Sequence, residues 1–361
     1  MAVLQEFKCP NCDGAIEFDS SSQKLKCPYC EAEFEVDTLQ ALAEEQDAPL
    51  KENMSWDDLP SSQWAEGETE GFRVYSCNSC GGEIVAEETV GAAECPFCSN
   101  PVVMTGQFAG ALKPDLVIPF KVDKRAAIAA LQEHYKGKVL LPRVFKDQNH
   151  IQEVKGLYVP VWLFDTDVDA QVNFKATKVF CWSDSQYRYT ETSHFSVVRT
   201  GNIGFENVPV DGSTKMDDTL MESIEPYFIE DAVDFQTAYL SGYLADKYDV
   251  DADSSVIRAN QRIKQSTEEA FSSKVVGYDS VETVSSILEL QNGRSRYALY
   301  PVWILNTHWN GQTFTFAVNG QTGKIAGDLP MDKGKFRTWL FGAAGVAAAV
   351  SFALSYLLWM L

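Results

Sequence analysis

The chain has 361 residues, of which 45% are hydrophobic, and its formal net charge at pH 7 is −21. That length leaves room for two or three domains, and the apolar content allows a buried core. Residues 1–112 hold 5 basic and 21 acidic residues, a net charge of −16. Because nucleic-acid binding requires Lys and Arg to neutralise phosphates, this balance makes nucleic acid an unlikely partner.

The first element in chain order is a cysteine pattern within residues 1–40. Its first pair and its second pair are separated by 14 residues, and the four cysteines are Cys9, Cys12, Cys27 and Cys30. Two such turns complete a tetrahedron of thiolates around Zn²⁺, which predicts a zinc ribbon. The alternative is a disulfide framework, which requires an oxidising compartment. The N-terminus lacks the apolar segment of a signal peptide, so we expect a reducing compartment.

Residues 71–112 repeat this pattern at an offset of 68 residues and predict a second ribbon; residues 1–40 are called ribbon 1 and residues 71–112 ribbon 2. The repeated ligands are Cys77, Cys80, Cys95 and Cys98. Four cysteines around one ion leave no coordination position for water or substrate, so both Zn²⁺ cofactors are expected to be structural rather than catalytic. Segments this short have little apolar core, and metal binding is expected to supply roughly 10–16 kcal/mol of apparent folding free energy.

Residues 41–70, between the ribbons, are acidic and show little periodicity, which predicts a linker. Trp56 and Trp64 are the large side chains in it. We expect them to pack back onto a ribbon, the alternative being an exposed motif that binds a partner.

Residues 113–330 alternate between strand-like and helix-like patterns, which predicts a mixed α+β domain. The helices are expected at 124–135, with Asp123 as N-cap, at 215–227 and at 252–275. The expected strands are 116–122, 156–164, 170–182, 187–200, 295–305 and 312–320.

A second internal repeat lies inside this domain. Residues 160–166 match residues 301–307 at an offset of 141, and both copies contain a Pro-Val-Trp motif. The match predicts two related strand–helix–strand–strand units. Trp162 and Trp303 are expected to be core anchors, with a ligand groove as the alternative.

Catalytic motifs are scarce, and we expect no enzyme. Residues 318–325 lack the glycine and the hydroxyl residue that a phosphate loop requires, and they predict hairpin turns instead. Cys181 lies in an apolar stretch and is expected to be a small core residue. None of the four histidines has metalloprotease spacing or a nucleophile pattern beside it; they are His134, His150, His194 and His308.

The last 23 residues, 339–361, contain no charge and are long enough to cross a bilayer core of about 30 Å. A buried core helix is the alternative. The preceding segment, 331–338, is basic through Lys333, Lys335 and Arg337. Basic flanks stay in the cytoplasm, so we expect a single-pass protein of the cell membrane whose body is cytoplasmic.

These features together resemble a bacterial family of membrane-anchored double zinc-ribbon proteins, often labelled TFIIB-type zinc ribbon-containing. The shared motifs are the paired ribbons, Ile118-Pro119-Phe120, the two Pro-Val-Trp segments, Lys215–Asp218, Gly242–Asp249 and residues 319–324. The chain is similar in particular to the ribbon protein encoded beside phage-shock protein A homologues in Firmicutes. The resemblance implies a membrane platform that recruits a cytosolic partner.

The function expected from this evidence is a tail-anchored adaptor that binds a cytosolic protein, and other membrane proteins are also expected as partners. Two alternatives stay open. One is a nucleic-acid-associated or transcription-related ribbon protein, and the other is an unrecognised enzyme within residues 113–330.

Overall fold

A computed structural model describes residues 9, 14–36, 52–57, 60, 62–88, 94–107 and 111–360. The chain forms two compact units, each assembled from three separate stretches. Unit 1 comprises Met1–Leu59, Leu163–Val210 and Val256–Ser295. Unit 2 comprises Pro60–Trp162, Asp211–Ser255 and Arg296–Leu361.

The described strands and helices alternate along the chain and give the mixed α+β class that the sequence predicts. The strands are β1 (Glu17–Asp19), β2 (Lys24–Lys26), β3 (Glu33–Phe34), β4 (Phe72–Ser76), β5 (Glu83–Glu87), β6 (Val103–Gln107), β7 (Leu116–Val117), β8 (Lys155–Ser183), β9 (Arg188–Asp211), β10 (Val233–Asp234), β11 (Leu244–Asp246), β12 (Ser280–Trp309), β13 (Gln312–Asn319) and β14 (Ile325–Ala326). The α-helices are α1 (Lys124–Tyr135), α2 (Gln148–Ile151), α3 (Asp218–Ser223), α4 (Ala252–Ser272) and α5 (Lys333–Met360), and 3-10 turns cover Arg143–Lys146, Ile229–Asp231 and Thr237–Leu240.

Unit 1 contains a small sheet with the order β1-β2-β3 and, separately, the pairing of β9 with β8. Ile263 of α4 packs against Val168 and Leu288, so the helix covers an apolar sheet face. Residues 52–57 add to the same region as an extended segment. The Asn53 N–H donates to the Leu288 carbonyl over 3.0 Å, and the Asn53 carbonyl accepts from the Leu290 N–H over 2.8 Å.

Unit 2 is built on a larger sheet whose strands run in the order β10-β7-β12-β8-β11-β5-β4-β6, with β13 on β12 and β14 on β13. Helix α1 covers part of it. Its buried Leu131 packs in one core cluster with Phe145 and Phe316. The Asp123 side chain accepts a hydrogen bond of 2.7 Å from the Ala126 N–H, which confirms both the predicted bounds of this helix and its cap.

Other predicted elements differ in length. Helix α3 begins at Asp218, after its N-cap Asp217, and ends at Ser223, so it is shorter than the predicted 215–227. Pro226 has no N–H with which to extend the helix beyond its C-terminal end. The strand predicted at 116–122 is limited to Leu116–Val117. The predictions at 156–164 and 170–182 merge into one strand, β8.

Both repeated tryptophans are buried, as predicted for core anchors. Trp162 is fully buried and its indole N–H donates to the Val250 carbonyl over 2.9 Å. Trp303 is 6% exposed and its indole N–H donates to the Val122 carbonyl over 2.8 Å. Two proposals stay predictions: the relation between the two strand–helix–strand–strand units, and the bounds of the six segments into which the sequence divides the chain.

Cys181 is not the core residue that we expected. It lies near the end of β8, where the side chains of the last six residues are all exposed. Its Sγ lies 3.6 Å from the Thr190 hydroxyl oxygen. An apolar stretch in a long strand therefore does not indicate burial once the strand extends beyond the elements that pack on it.

Candidate metal centres and membrane helix

Four of the predicted ligands meet in unit 2. The Sγ atoms of Cys77, Cys80, Cys95 and Cys98 all lie within 4.8 Å of one another. The Cys77–Cys98 and Cys80–Cys95 sulfur pairs are 3.5 and 3.6 Å apart. Four sulfurs at about 2.3 Å from a tetrahedral metal lie about 3.8 Å apart, so these cysteines can hold one metal ion.

The backbone places these sulfurs through two matching turns. In the first turn, the Cys77 N–H donates to the Gly82 carbonyl over 2.9 Å. In the second, the Cys95 N–H donates to the Asn100 carbonyl over 2.8 Å. In each turn, backbone N–H groups point toward the sulfur of the first cysteine, and the two thiols lie on one side of the turn. A Cβ at Gly82 would lie 3.1 Å from the Phe97 ring, so a larger residue there requires the ring to shift by a few tenths of an ångström.

A second cluster in unit 1 contains Cys9, Cys27 and Cys30, and these three Sγ atoms also lie within 4.8 Å of one another. Cys9 and Cys30 are 3.5 Å apart. The fourth predicted ligand, Cys12, lies outside the described residues. The three placed thiols can hold a metal ion, and the geometry of a complete four-cysteine site there stays a prediction.

The two clusters share one turn geometry, which supports the internal repeat at an offset of 68. The Cys9 N–H donates to the Gly14 carbonyl over 2.7 Å, as Cys77 does to Gly82. Directly after the last cysteine of each cluster, Glu31 has a φ of 58° and Ser99, at the equivalent position, has a φ of 57°. Both residues therefore adopt the left-handed conformation that closes the turn.

The thiols of the four-cysteine cluster in unit 2 differ in acidity. Burial alone raises the pKa of Cys77, but N–H groups of Cys80 and Ser79 outweigh it and lower that pKa to about 7. Burial raises the pKa values of Cys80 and Cys95. The described cysteines form no disulfide. A thiolate at Cys77 is thus available near neutral pH to begin metal binding.

Polar contacts join the four-cysteine cluster of unit 2 to the large sheet. The Asn306 side-chain amide donates to the Pro96 carbonyl over 2.5 Å. Lys155 pairs with Glu94 at 3.0 Å, and Lys247 pairs with Glu83 at 2.7 Å. The metal site of ribbon 2 is therefore one part of a larger sheet structure.

Helix α5 is long and apolar enough to span a membrane, the one such helix among the described residues. Its 28 residues correspond to about 42 Å of helix. None of its most apolar stretch is buried against the rest of the chain, unlike the helix of a soluble core. The helix begins at Lys333, so Lys333, Lys335 and Arg337 lie in its first turns.

The linker tryptophans have intrachain partners. The Trp56 indole N–H donates to the Asn260 side chain over 2.9 Å, and its ring contacts Phe164 edge-on at 4.8 Å. It packs on unit 1 strands and on α4, so the prediction that it packs on a ribbon is wrong. Trp64 donates to the Ala111 carbonyl over 3.1 Å. The small pocket beside Trp64 is lined by Phe72 and Val85 of ribbon 2, among others.

Sequence reasoning missed a pair of buried carboxyl groups in unit 2. Asp246 is 3% exposed, and the burial of its carboxyl group outweighs the hydrogen bonds that it receives from the Ser213 side chain and the Lys247 N–H. Burial raises its pKa to about 8, and burial likewise raises the pKa of Asp211. The signal available in the sequence was an acidic residue among apolar ones, as in Leu244-Ala245-Asp246 and in Val208-Pro209-Val210-Asp211.

A polar cavity of about 620 Å³ also lies in unit 2. Several of its polar groups have partners inside the protein. Asp217 caps α3, the Ser223 hydroxyl donates to the Thr219 carbonyl, and the Thr315 hydroxyl donates to the Asn306 side chain. The Thr313 hydroxyl, which also lines the cavity, lies 2.9 Å from Nδ1 of His308, so an enzyme within residues 113–330 stays an open alternative.

Comparison with known proteins finds one informative relative. No family model matches the chain, and no solved structure matches it. A protein of Bacillus subtilis (strain 168), called uncharacterized protein YdjG, is 37% identical over 243 residues. The similarity covers 67% of this chain and 71% of the relative.

Proposed function

We propose that this chain, which belongs to the same family as the Bacillus subtilis protein YdjG, is a membrane-anchored zinc-ribbon adaptor that recruits a cytosolic protein. The observation that carries the proposal is α5, whose apolar surface is uncovered by the rest of the described chain. An exposed apolar helix of this length needs lipid around it. The body attached to it is then held at a membrane surface.

The metal is proposed to be zinc in both ribbons, with Cys12 as the fourth ligand of the first. Thiolate clusters of this spacing select zinc among the common cellular divalent metals that form closed tetrahedral sites. The ions would fix the turns and take no part in chemistry, because cysteines fill every coordination position.

The body is proposed to face the cytoplasm. Lys333, Lys335 and Arg337 lie in the first turns of α5, and basic residues beside a membrane helix are retained on the cytoplasmic side. Reduced cysteines in both clusters agree with that compartment.

The docking surface is proposed to lie on ribbon 1. Tyr29 is 76% exposed and Phe18 is 54% exposed, so ribbon 1 keeps two aromatic side chains at its surface. Exposed aromatic residues of this kind supply much of the binding energy in protein interfaces. Trp56 and Trp64, the earlier candidates, are half-buried and hydrogen-bonded within the chain, so they are weaker candidates.

The partner is proposed by resemblance to be a homologue of phage-shock protein A, which places the chain in an envelope-stress response. The acidic N-terminal region suits a partner with a basic surface. Binding to nucleic acid is disfavoured by the same charge.

The test combines flotation with localisation of a fluorescent phage-shock protein A homologue in bacterial cells. The full chain should float with membranes and bring the partner to the cell periphery. Truncation after Thr338 should release both to the cytosol; this variant keeps the contacts of the first helical turn. Deletion of residues 1–51 should leave the chain on the membrane and the partner diffuse.

Two results would contradict the proposal. A full chain that stays soluble without detergent excludes the anchor. A partner that stays at the membrane with the 1–51 deletion excludes ribbon 1 as the docking site. The deletion stops before Glu52, because residues 52–57 bond to β12, and it spares the ribbon 2 strands, which belong to the large sheet.

A further inference from the structure

A basic loop lies beside the start of α5 in unit 2. Residues 136–146 contain four basic residues and no acidic residue, in a chain whose net charge is −21. The side chains of Lys138 and Arg143 are exposed, and neither forms an ion pair within the described part of the chain. Lys136 is also exposed, but it pairs with Glu133 at 3.1 Å.

Two hydrogen bonds hold this loop against the base of the helix. The Asp332 N–H donates to the Leu140 carbonyl over 2.9 Å. The Lys335 ammonium donates to the Leu141 carbonyl over 2.5 Å. Asp332 also caps the helix, since its carboxylate accepts from the Gly334 N–H over 2.9 Å. The loop therefore has a fixed position along the axis of α5, level with the first turn of the helix.

When α5 spans a bilayer, this position along the helix axis lies in the headgroup layer. The charge-free stretch of the helix starts after Arg337, and about 20 residues from Trp339 onward fill a hydrocarbon core of about 30 Å. The first turn, at Lys333–Arg337, then lies in the polar layer of roughly 5–8 Å that covers the core. Because the loop bonds to Asp332 and Lys335, it reaches the same layer.

Apolar side chains accompany the charges on this surface. Val139 is 64% exposed, Val144 is 36% exposed, Met331 is 47% exposed and Phe336 is 37% exposed. Single exposed apolar residues are ordinary, but these four lie in the two segments that the hydrogen bonds join. Apolar side chains next to Lys and Arg are typical of surfaces that enter the membrane interface.

We propose that the 136–146 loop and the first turn of α5 form a binding surface for anionic lipid headgroups in the leaflet where the helix enters. Lys138, Arg143, Lys333 and Arg337 would contact phosphates, and Val139 and Val144 would enter the boundary with the acyl chains. This inference rests on the membrane anchoring in the proposed function. It adds a preference for negatively charged lipid, which would hold the body in a defined orientation on the membrane.

The test measures amide hydrogen exchange of the full chain in nanodiscs. One set contains phosphatidylcholine alone, and the other contains phosphatidylcholine with phosphatidylglycerol. Amides within 138–146 should exchange about 5-fold more slowly with the anionic lipid, a change that one or more basic residues near the surface can produce. Inorganic phosphate added to the phosphatidylcholine discs should not reproduce the effect.

The matched variants separate the loop from total charge. Lys138→Glu with Arg143→Glu should remove the difference between the two lipid compositions. Arg188→Glu with Lys274→Glu changes the net charge equally at exposed residues of unit 1 and should preserve the difference. Equal exchange in both lipids, or protection that survives the loop variant, would overturn the lipid surface while leaving the anchor intact. A full chain that enters neither kind of nanodisc would instead overturn the anchor itself, and the lipid surface with it.

Discussion

The two ribbons share one cysteine turn but differ in their surroundings. Among the described residues of ribbon 1, only Cys9 and Cys27 are buried, and its three short strands pair with one another. In ribbon 2, Ile84 is fully buried, and β5 pairs with β11 of the large sheet through Ile84 and Asp246.

Equivalent positions make the difference plain. Tyr29 and Phe97 both precede the last cysteine of their ribbon, yet Tyr29 is 76% exposed while Phe97 packs in two core clusters of unit 2. Phe18 is 54% exposed, and Ala86, its equivalent, is 1% exposed. One copy of the repeat has become a structural part of a larger sheet, and the other keeps its aromatic side chains at the surface.

Loss of a metal ligand should separate the ribbons most strongly. Cys77→Ser should abolish the metal site of ribbon 2 and destabilise unit 2 by about 5 kcal/mol or more, because strands of the sheet lose their fixed ends. Cys27→Ser should abolish the metal site of ribbon 1 and leave the main unfolding transition unchanged. Metal analysis and thermal unfolding of the purified full chain measure both effects. Equal losses of stability in the two variants would show that the two metal sites contribute equally to the stability of the chain.

The pH dependence of stability should originate on the ribbon 2 side. Asp246 has a pKa of about 8 in the folded chain against 3.8 unperturbed, so the folded state binds more protons than the unfolded state between these values. Stability should therefore fall as the pH rises from about 4 to 8, by roughly 2–5 kcal/mol. Asp246→Asn should flatten this fall.

Denaturation of the wild type and of this variant at each pH isolates the contribution of Asp246. The pH dependence of metal binding by the thiols is common to both proteins and cancels in the comparison. Parallel curves for the two proteins would mean that the Asp246 carboxyl does not titrate between folded and unfolded states.

Truncation of the matched aromatic residues gives a smaller contrast. Phe97→Ala should cost about 1.5–3 kcal/mol, because a half-buried ring between two clusters leaves a cavity. Tyr29→Ala should change stability by no more than about 0.5 kcal/mol, as is usual for an exposed residue. Chemical denaturation of the two variants provides the measurement. A cost for Tyr29→Ala as large as that for Phe97→Ala would place Tyr29 in a packed environment.

Local features were predictable from the sequence, and long-range pairing was not. The cysteine turns, helix α1 with its Asp123 cap and the apolar helix α5 follow from spacing, capping and composition over short stretches. The pairing of Ala245 and Asp246 with Val85 and Ile84 joins residues far apart in the chain, and no local pattern indicates it. For that reason the sequence alone does not distinguish the surroundings of ribbon 1 from those of ribbon 2.

Burial was also hard to predict where strands are long. Strand β8 has 29 residues, and its last six are exposed, which made Cys181 a surface residue. Trp56 found its partner in Asn260, more than two hundred residues away in sequence. Both outcomes depend on which elements pack together, and the local sequence around Cys181 or Trp56 does not indicate which elements these are.

The central claim, that ribbon 1 is the docking module of a membrane adaptor, is tested most directly by exposed side chains that do not support the fold. The measurement is the position of a fluorescent phage-shock protein A homologue in cells that express the Phe18→Ser and Tyr29→Ser double variant. We predict that this variant stays at the membrane with its full metal content while the partner becomes diffuse. A control with Phe180→Ser and Tyr187→Ser, which are 65% and 64% exposed, should keep the partner at the membrane. A partner that remains at the membrane with the ribbon variant would contradict the claim.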